Sequence, residues 1–227
     1  MTNRALLLAA GLSLLAGCGE GSGLSTAVSG RGASLQIINA SAATGTASVT
    51  AGGNTLRSAL DFRSAACVSL PEGVHALTFA SGGTPIAATD SMLLDVGQPL
   101  TVVFFDDADA GSDVVVQPLT FTTPAAGSVA IRFINGSALT GDIFVTTPTG
   151  TVVGTPNIAA LANGEVSSFR TFAAANTRIR FFSTGETETP FADITLGALP
   201  ANRATTVVFT DSVPAGGAVA FQVNGCQ

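Results

Sequence analysis

Lysine, tryptophan and tyrosine are missing from this chain of 227 residues, and histidine occurs once. Each absence removes a class of chemistry. Without lysine there is no Schiff-base or serine–lysine nucleophile system. Without tryptophan or tyrosine the chain lacks the flat amphipathic rings that sugar sites and protein hot spots favour. No Cys-x-x-Cys or His-x-x-x-His spacing supplies a zinc ligand set, and no Gly-x-Ser-x-Gly elbow supplies a hydrolase nucleophile. The lone histidine, His75, shares parity with Leu77 at a strand start and reads as a structural or edge residue. Charge is scarce at 11% of residues, and its net value of −6 argues against nucleic acid as a partner.

What the chain does hold is a repeat. Leu35-Gln36-Ile37-Ile38-Asn39-Ala40-Ser41 returns as Ile131-Arg132-Phe133-Ile134-Asn135-Gly136-Ser137, apolar residues around one outward polar position that stop at Asn-small-Ser. Asparagine tolerates turn geometry and serine bonds to nearby backbone, so each copy reads as a strand ending in a turn, with Asn135-Gly136 as a turn dipeptide. The match continues in order. Leu70 pairs with Phe172, Phe79 with Phe181, and Thr101-Val102-Val103-Phe104 with Thr206-Val207-Val208-Phe209, the separation growing stepwise as loop insertions would make it.

Both copies consist of short stretches rich in Val, Ile, Thr and Phe, punctuated every eight to twelve residues, roughly, by Gly, Pro, Asn or Asp. This rhythm predicts an all-β chain: two tandem immunoglobulin-like β-sandwich domains of about 100 residues each, after a signal peptide. In the first copy strands are expected near residues 35–39, 47–51, 56–62, 66–70, 74–80, 86–94, 100–106 and 114–119, with Gly52-Gly53 and Gly82-Gly83 as turns. The repeats occupy residues 34–121 and 128–227, with residues 122–127 as a hinge. Alternation sends Ile179 and Phe181 inward, like Leu77 and Phe79 in the first copy. It sends Arg132, Arg178 and Arg180 to an outer face, where they keep a β-surface soluble.

Ahead of the repeats, Arg4 and the apolar run from Ala5 to Ala16 form residues 1–17 into a signal peptide too short to span a bilayer. The run ends in Leu15-Ala16-Gly17-Cys18, which resembles the lipobox of bacterial lipoproteins. That resemblance implies cleavage before Cys18, lipidation of its thiol and stable anchoring by several acyl chains. Gly19 after the cysteine implies the outer membrane of a Gram-negative bacterium. The Gly/Ser-rich residues up to 33 read as a tether.

A second resemblance rests on the Asn-Ala-Ser strand end, on Cys67-Val68-Ser69-Leu70-Pro71-Glu72-Gly73, and on the strand from Leu100 to Phe105. These residues are similar to the bacterial family called domain of unknown function 4397, whose members often occur in tandem in secreted or lipid-anchored proteins. The resemblance covers both repeats, although the second has Phe172-Ala173-Ala174-Ala175-Asn176 in place of the Leu-Pro-x-Gly turn. The family has no established activity, so the resemblance implies no catalytic residues.

Two further features carry chemistry. Asp107, Asp109 and Asp113 lie in the densest acidic run, and alternating carboxylates on a loop are the hard oxygen ligands that Ca²⁺ takes. The spacing is not that of an EF-hand, and a solvated hairpin tip is the plainer reading. Once Cys18 is lipidated, Cys67 and Cys226 are left in a compartment that permits disulfides. Cys67 aligns with Phe169 at an apolar packing position, while a bridge to Cys226 would tie the end of the second domain to the first. The function expected is a non-catalytic binding, adhesion or spacer role without a cofactor. Its partners are the membrane, through the lipid, and an envelope or extracellular protein. The alternative is a calcium-dependent or enzymatic protein built on the acidic loop.

Overall fold

The computed structural model describes residues 32–107, 109, 111–201, 203–211, 218–224 and 226. Among these there are eighteen strands and no helix. The first half contains β1 (Ala33–Ala40), β2 (Thr46–Ala51), β3 (Asn54–Asp61), β4 (Ser64–Leu70), β5 (Gly73–His75), β6 (Leu77–Ser81), β7 (Thr84–Ala88), β8 (Met92–Leu94), β9 (Leu100–Phe105) and β10 (Asp113–Pro118). The second contains β11 (Ser128–Gly136), β12 (Gly141–Thr146), β13 (Ile158–Leu161), β14 (Arg170–Ala173), β15 (Thr177–Ser183), β16 (Ala192–Leu196), β17 (Ala204–Asp211) and β18 (Ala218–Asn224).

Each half is two four-stranded sheets facing one another. In the first, the order β10-β9-β1-β4 faces β3-β2-β6-β7; in the second, β18-β17-β11-β14 faces β13-β12-β15-β16. The two orders are the same, and in both halves the opening strand pairs parallel with a late one, β1 with β9 and β11 with β17. A shared strand order with a shared parallel pair is what duplication of one unit produces. Among the described residues the ribbon β5–β8 is an addition peculiar to the first half. It breaks two of the stretches expected as single strands, since the chain leaves one sheet at Ala76 and again after Ala88.

Alternation builds each core as expected. Leu35, Ile37, Leu77, Phe79, Val102 and Phe104 are buried together in the first half, with the Phe79 and Phe104 rings stacked 5.0 Å apart. In the second half Phe133, Ile179, Phe181 and Phe209 do the same, with 4.7 Å between the Phe181 and Phe209 rings. Gly52, Gly53, Gly82 and Gly83 all take positive φ at the turns.

The outer faces of β1, β9, β11 and β17 are not solvated. Ile38, Ala40, Val103 and Phe105 pack against Ile134, Val208, Phe221 and Val223 in a third apolar cluster between the halves. The protein is therefore four sheets deep, and the two middle sheets are covered on both sides. Strands so covered carry near-continuous apolar runs, such as Val102-Val103-Phe104-Phe105. Gly136 ends β11 at this seam without a positive φ. A Cβ there would stand 3.0 Å from the Phe105 Cβ and 3.2 Å from the Ala40 Cβ, so the glycine serves close approach of two sheets rather than the turn expected of Asn-Gly.

Candidate functional site

The seam holds the densest buried chemistry in the described residues. Arg132 projects from the outer face of β11, as expected, but is only 2% exposed. Expecting it on a solvated surface was wrong, because strand alternation says which face a side chain takes and not what covers that face. Its Nε donates to Thr206 Oγ1 at 3.0 Å and its Nη1 to Pro118 O at 3.0 Å. Its Nη2 donates to Thr101 Oγ1, and its guanidinium carbon lies 5.0 Å from the Phe169 ring centroid. Thr101 in turn donates to Gln36 Oε1 at 3.2 Å, and Gln36 Nε2 to Asn224 O at 2.7 Å. A continuous polar ladder thus crosses from one half to the other. Burial lowers the Arg132 pKa to about 10, which still leaves the group charged at neutral pH.

A covalent link stands beside the ladder. Cys67 of β4 and Cys226 form a disulfide with their Cα atoms 5.7 Å apart, across a sequence separation of 159. Cys67 pairs with Gln36 across β4 and β1. In the second half Phe169 lies one step beyond the Ile131–Arg170 pair, the position matching Cys67. Phe121 reaches back to that ring at 5.5 Å. The segment 122–127 is fastened as well: Pro124 is buried, and Gly127 O accepts from Ala174 N at 2.8 Å.

The two ends of the molecule differ. At the end where β1 and β11 finish, the repeated Asn-x-Ser acts as a buried staple. Asn39 Nδ2 donates to Gly45 O and Leu60 O at 2.9 and 2.8 Å, while its Oδ1 accepts from Ser41 N at 2.9 Å. Asn135 repeats the pattern with Leu161 O and Ser137 N. Asp106 accepts from Ser41 Oγ and, at 3.0 Å, from Ala43 N; Asp211 accepts from Ala138 N at 3.2 Å. Burial, and next the charge of Asp106, push the Asp211 carboxyl above the usual carboxylate range, against the pull of the Ala138 amide.

At the opposite end β5 and β8 form a two-stranded flap. Met92 and Leu94 point into the core, while Val74 and Leu93, direct cross-strand partners, are 68% and 60% exposed. His75 fastens the flap by donating from Nε2 to Pro71 O at 2.9 Å. At the corresponding end of the second half, Val129, Leu199, Pro200, Arg203, Thr205 and Asn224 line a cleft of about 270 Å³.

The other residues singled out in the sequence fall as follows. Asp107 Oδ1 accepts from Asp109 N at 2.8 Å and Asp113 Oδ1 from Val114 N at 2.7 Å, so both carboxylates serve their own loop. Among the described residues no three of His, Cys, Asp and Glu converge as metal ligands. Arg178 is paired with Asp193 on the neighbouring strand. Arg180 donates to Thr146 Oγ1 and Gly150 O, at 2.7 and 2.6 Å. Cys18, the signal peptide and nearly all of the tether lie outside the described residues. Sequence reasoning offered the Cys67–Cys226 bridge between the halves but missed the apolar seam and polar ladder beside it, although apolar runs on both faces of β9 and β17 carried the signal.

The family model described as Domain of unknown function (DUF4397) matches residues 33–146, from β1 to the end of β12. The chain belongs to this DUF4397 family. The match takes in the first half and the opening two strands of the second, a shorter span than the two full repeats expected. No curated protein sequence matches the chain. Among solved structures, the TIE protein of Bacillus anthracis is similar at 7% identity and a TM-score of 0.26, over 86% of this chain; the chain spans 44% of that protein. CBMbc, a family CBM26 module from Eubacterium rectale Amy13K solved in complex with maltoheptaose, is similar at 12% identity and a TM-score of 0.27, over 86% of this chain and 98% of its own. Likenesses this loose transfer no residue and no ligand to this DUF4397 protein.

Proposed function

We propose that this DUF4397 protein is an exported, lipid-anchored cell-envelope protein that serves a non-catalytic binding, adhesion or spacer role. In this reading residues 1–17 are a lipoprotein signal peptide, Cys18 carries the lipid, and the anchor sits in the outer membrane. Residues 34–121 and 128–227 are the two repeats, each an immunoglobulin-like sandwich, joined by residues 122–127.

The observation that carries the proposal is the Cys67–Cys226 disulfide. A structural bridge of this kind persists in an oxidising compartment, which is where a lipoprotein signal would deliver the chain. The bridge, the Arg132 ladder and the apolar seam together join the halves into one stiff block, which suits a body tethered at a membrane. The lone histidine is spent on Pro71, Asp107 and Asp113 accept from their own loop, and Asp106 accepts from Ser41 and Ala43, which supports a binding or spacing role over catalysis.

Metabolic palmitate labelling tests the anchor. Wild-type protein is expected to take up label in the envelope fraction and the Cys18→Ser variant to stay unlabelled, and an unlabelled wild-type product overturns the anchor. For the rest of the reading, a pull-down from envelope extract that recovers a partner dependent on the folded body supports binding, and repeated failure leaves spacing alone.

A further inference from the structure

We infer that the β5–β8 flap is a membrane-contacting tip, with Val74 and Leu93 seated in a zwitterionic lipid surface at the end of the protein from which the anchor departs. The inference rests on the lipid-anchored reading and adds to it the face of the protein that meets the bilayer.

Register fixes the geometry. Ala33 pairs with Leu70, so β1 begins where β4 ends. Gly32 lies against Ser69 and Leu70, with the site of its absent Cβ 3.3 Å from Leu70 O. From Leu70 the chain needs three Cα steps to enter the flap at Gly73, a distance of at most about 11 Å. The chain therefore enters the fold beside the flap. About 14 residues separate Cys18 from Gly32, and this length caps the distance from the anchor to the start of β1 at roughly 50 Å. An anchor of that reach keeps this end of the protein close to the surface that holds the lipid.

The flap's chemistry suits a lipid surface. Val74 and Leu93 stand directly opposite each other on its outer face, 68% and 60% exposed, with Val96 at 38% shortly beyond. Large apolar side chains at a protein tip enter the interface between headgroups and acyl chains. Among the described residues, the charges next to the flap strands in sequence are Glu72, Asp90 and Asp95, with His75 held on Pro71. An acidic surround is repelled by anionic lipid, so a neutral zwitterionic surface is the occupant that fits. Among the described residues the second half has no counterpart: its strand order matches the first without the ribbon. The tip is thus confined to the half that follows the anchor.

The test uses the mature chain with Cys18→Ser, held by an N-terminal hexahistidine tag on phosphatidylcholine vesicles doped with a nickel-chelating lipid. An environment-sensitive fluorophore is placed at Val74→Cys, at Leu93→Cys, or at Ala43→Cys beyond the far end of β1. Blue-shifted emission quenched by nitroxide lipid is expected at the first two positions, and water-like emission at the third. Water-like emission at all three overturns the inference. So does shielding of the flap without vesicles that grows with protein concentration, which would assign the tip to a second copy of the chain. The artificial tether separates the two readings: missing palmitate on the natural protein would defeat the anchor, whereas an unshielded flap on tethered vesicles would defeat only the tip.

Discussion

Gln36 and Arg132 hold the same place in the two halves, on the opening strand and on the face that meets the other half. So do Cys67 and Phe169, and so do Ala40 and Gly136. Equivalent faces meet here much as they do in a symmetric dimer, where each residue confronts its own kind. A seam of identical faces would have brought two buried guanidiniums onto the same threonine. Instead one side supplies a cation and the other an amide, and Thr101 donates to Gln36 while accepting from Arg132. At neighbouring positions a ring covers the cation on one side and a disulfide sulfur joins Cys226 on the other. Divergence at these few sites turns a self-complementary surface into two surfaces that fit each other.

The most damaging way to break this arrangement is to restore the symmetry. Gln36→Arg places a second cation at Thr101 with no carboxylate to receive it, and an uncompensated buried charge costs about 3–5 kcal/mol. Urea unfolding should show that loss, while Arg132→Gln, which keeps an amide on each side, is expected to cost about half as much. Next in size is the bridge. Cys67→Ser combined with Cys226→Ser frees a loop spanning a separation of 159, with an expected loss of about 2–5 kcal/mol. Dithiothreitol should reproduce it in the wild type and leave the double variant unchanged. Smaller again is Gly136→Ala, whose new methyl meets Phe105 and Ala40 at overpacked distances for about 1–3 kcal/mol. Adding Ala40→Gly moves the methyl to the other side of the seam and should recover part of the loss. No recovery would show that Phe105, not Ala40, sets the tight contact.

The strands were legible because period-two alternation records burial on one face. Leu77, Phe79, Ile179 and Phe181 are buried where that pattern put them. The turns were legible for a similar reason, since Gly52-Gly53 and Gly82-Gly83 mark positive φ. The seam was harder to read. Gln36 and Arg132 look like solvent positions in any single strand, and only the apolar residues beside them, Ile38 and Ile134, say that the outer face is covered too. The break of residues 74–80 into β5 and β6 was hidden because Val74 and Leu77 are both apolar, although one is exposed and the other buried. Gly136 misled because Asn-Gly is a turn dipeptide, whereas here the glycine is required by a neighbouring sheet.

The gentlest test compares Asp106 with Asp211, the matched carboxylates at the end where β1 and β11 finish. Asp106 receives Ser41 Oγ and Ala43 N. In the second half Ser137 Oγ turns instead to Asn135 Oδ1 at 2.8 Å, and Asp211 receives Ala138 N. With burial and the Asp106 charge against it, the Asp211 carboxyl ionises above its ordinary range. The folded protein thus holds this proton more tightly than the unfolded chain does. The resulting stabilisation is full below the unfolded pKa and is lost as pH rises through the folded one. Asp211→Asn keeps an acceptor for Ala138 N and removes the charge. Because the site is half-buried and partly screened, the variant's Tm should exceed that of the wild type by only about 1–2 °C at neutral pH. Calorimetry should show that gap closing as pH falls through the carboxylate range, since the wild-type group then takes up its proton. A gap that widens in acid would mean that the Ala138 bond outweighs burial and Asp106, and that the two carboxylates are less different than their partners imply.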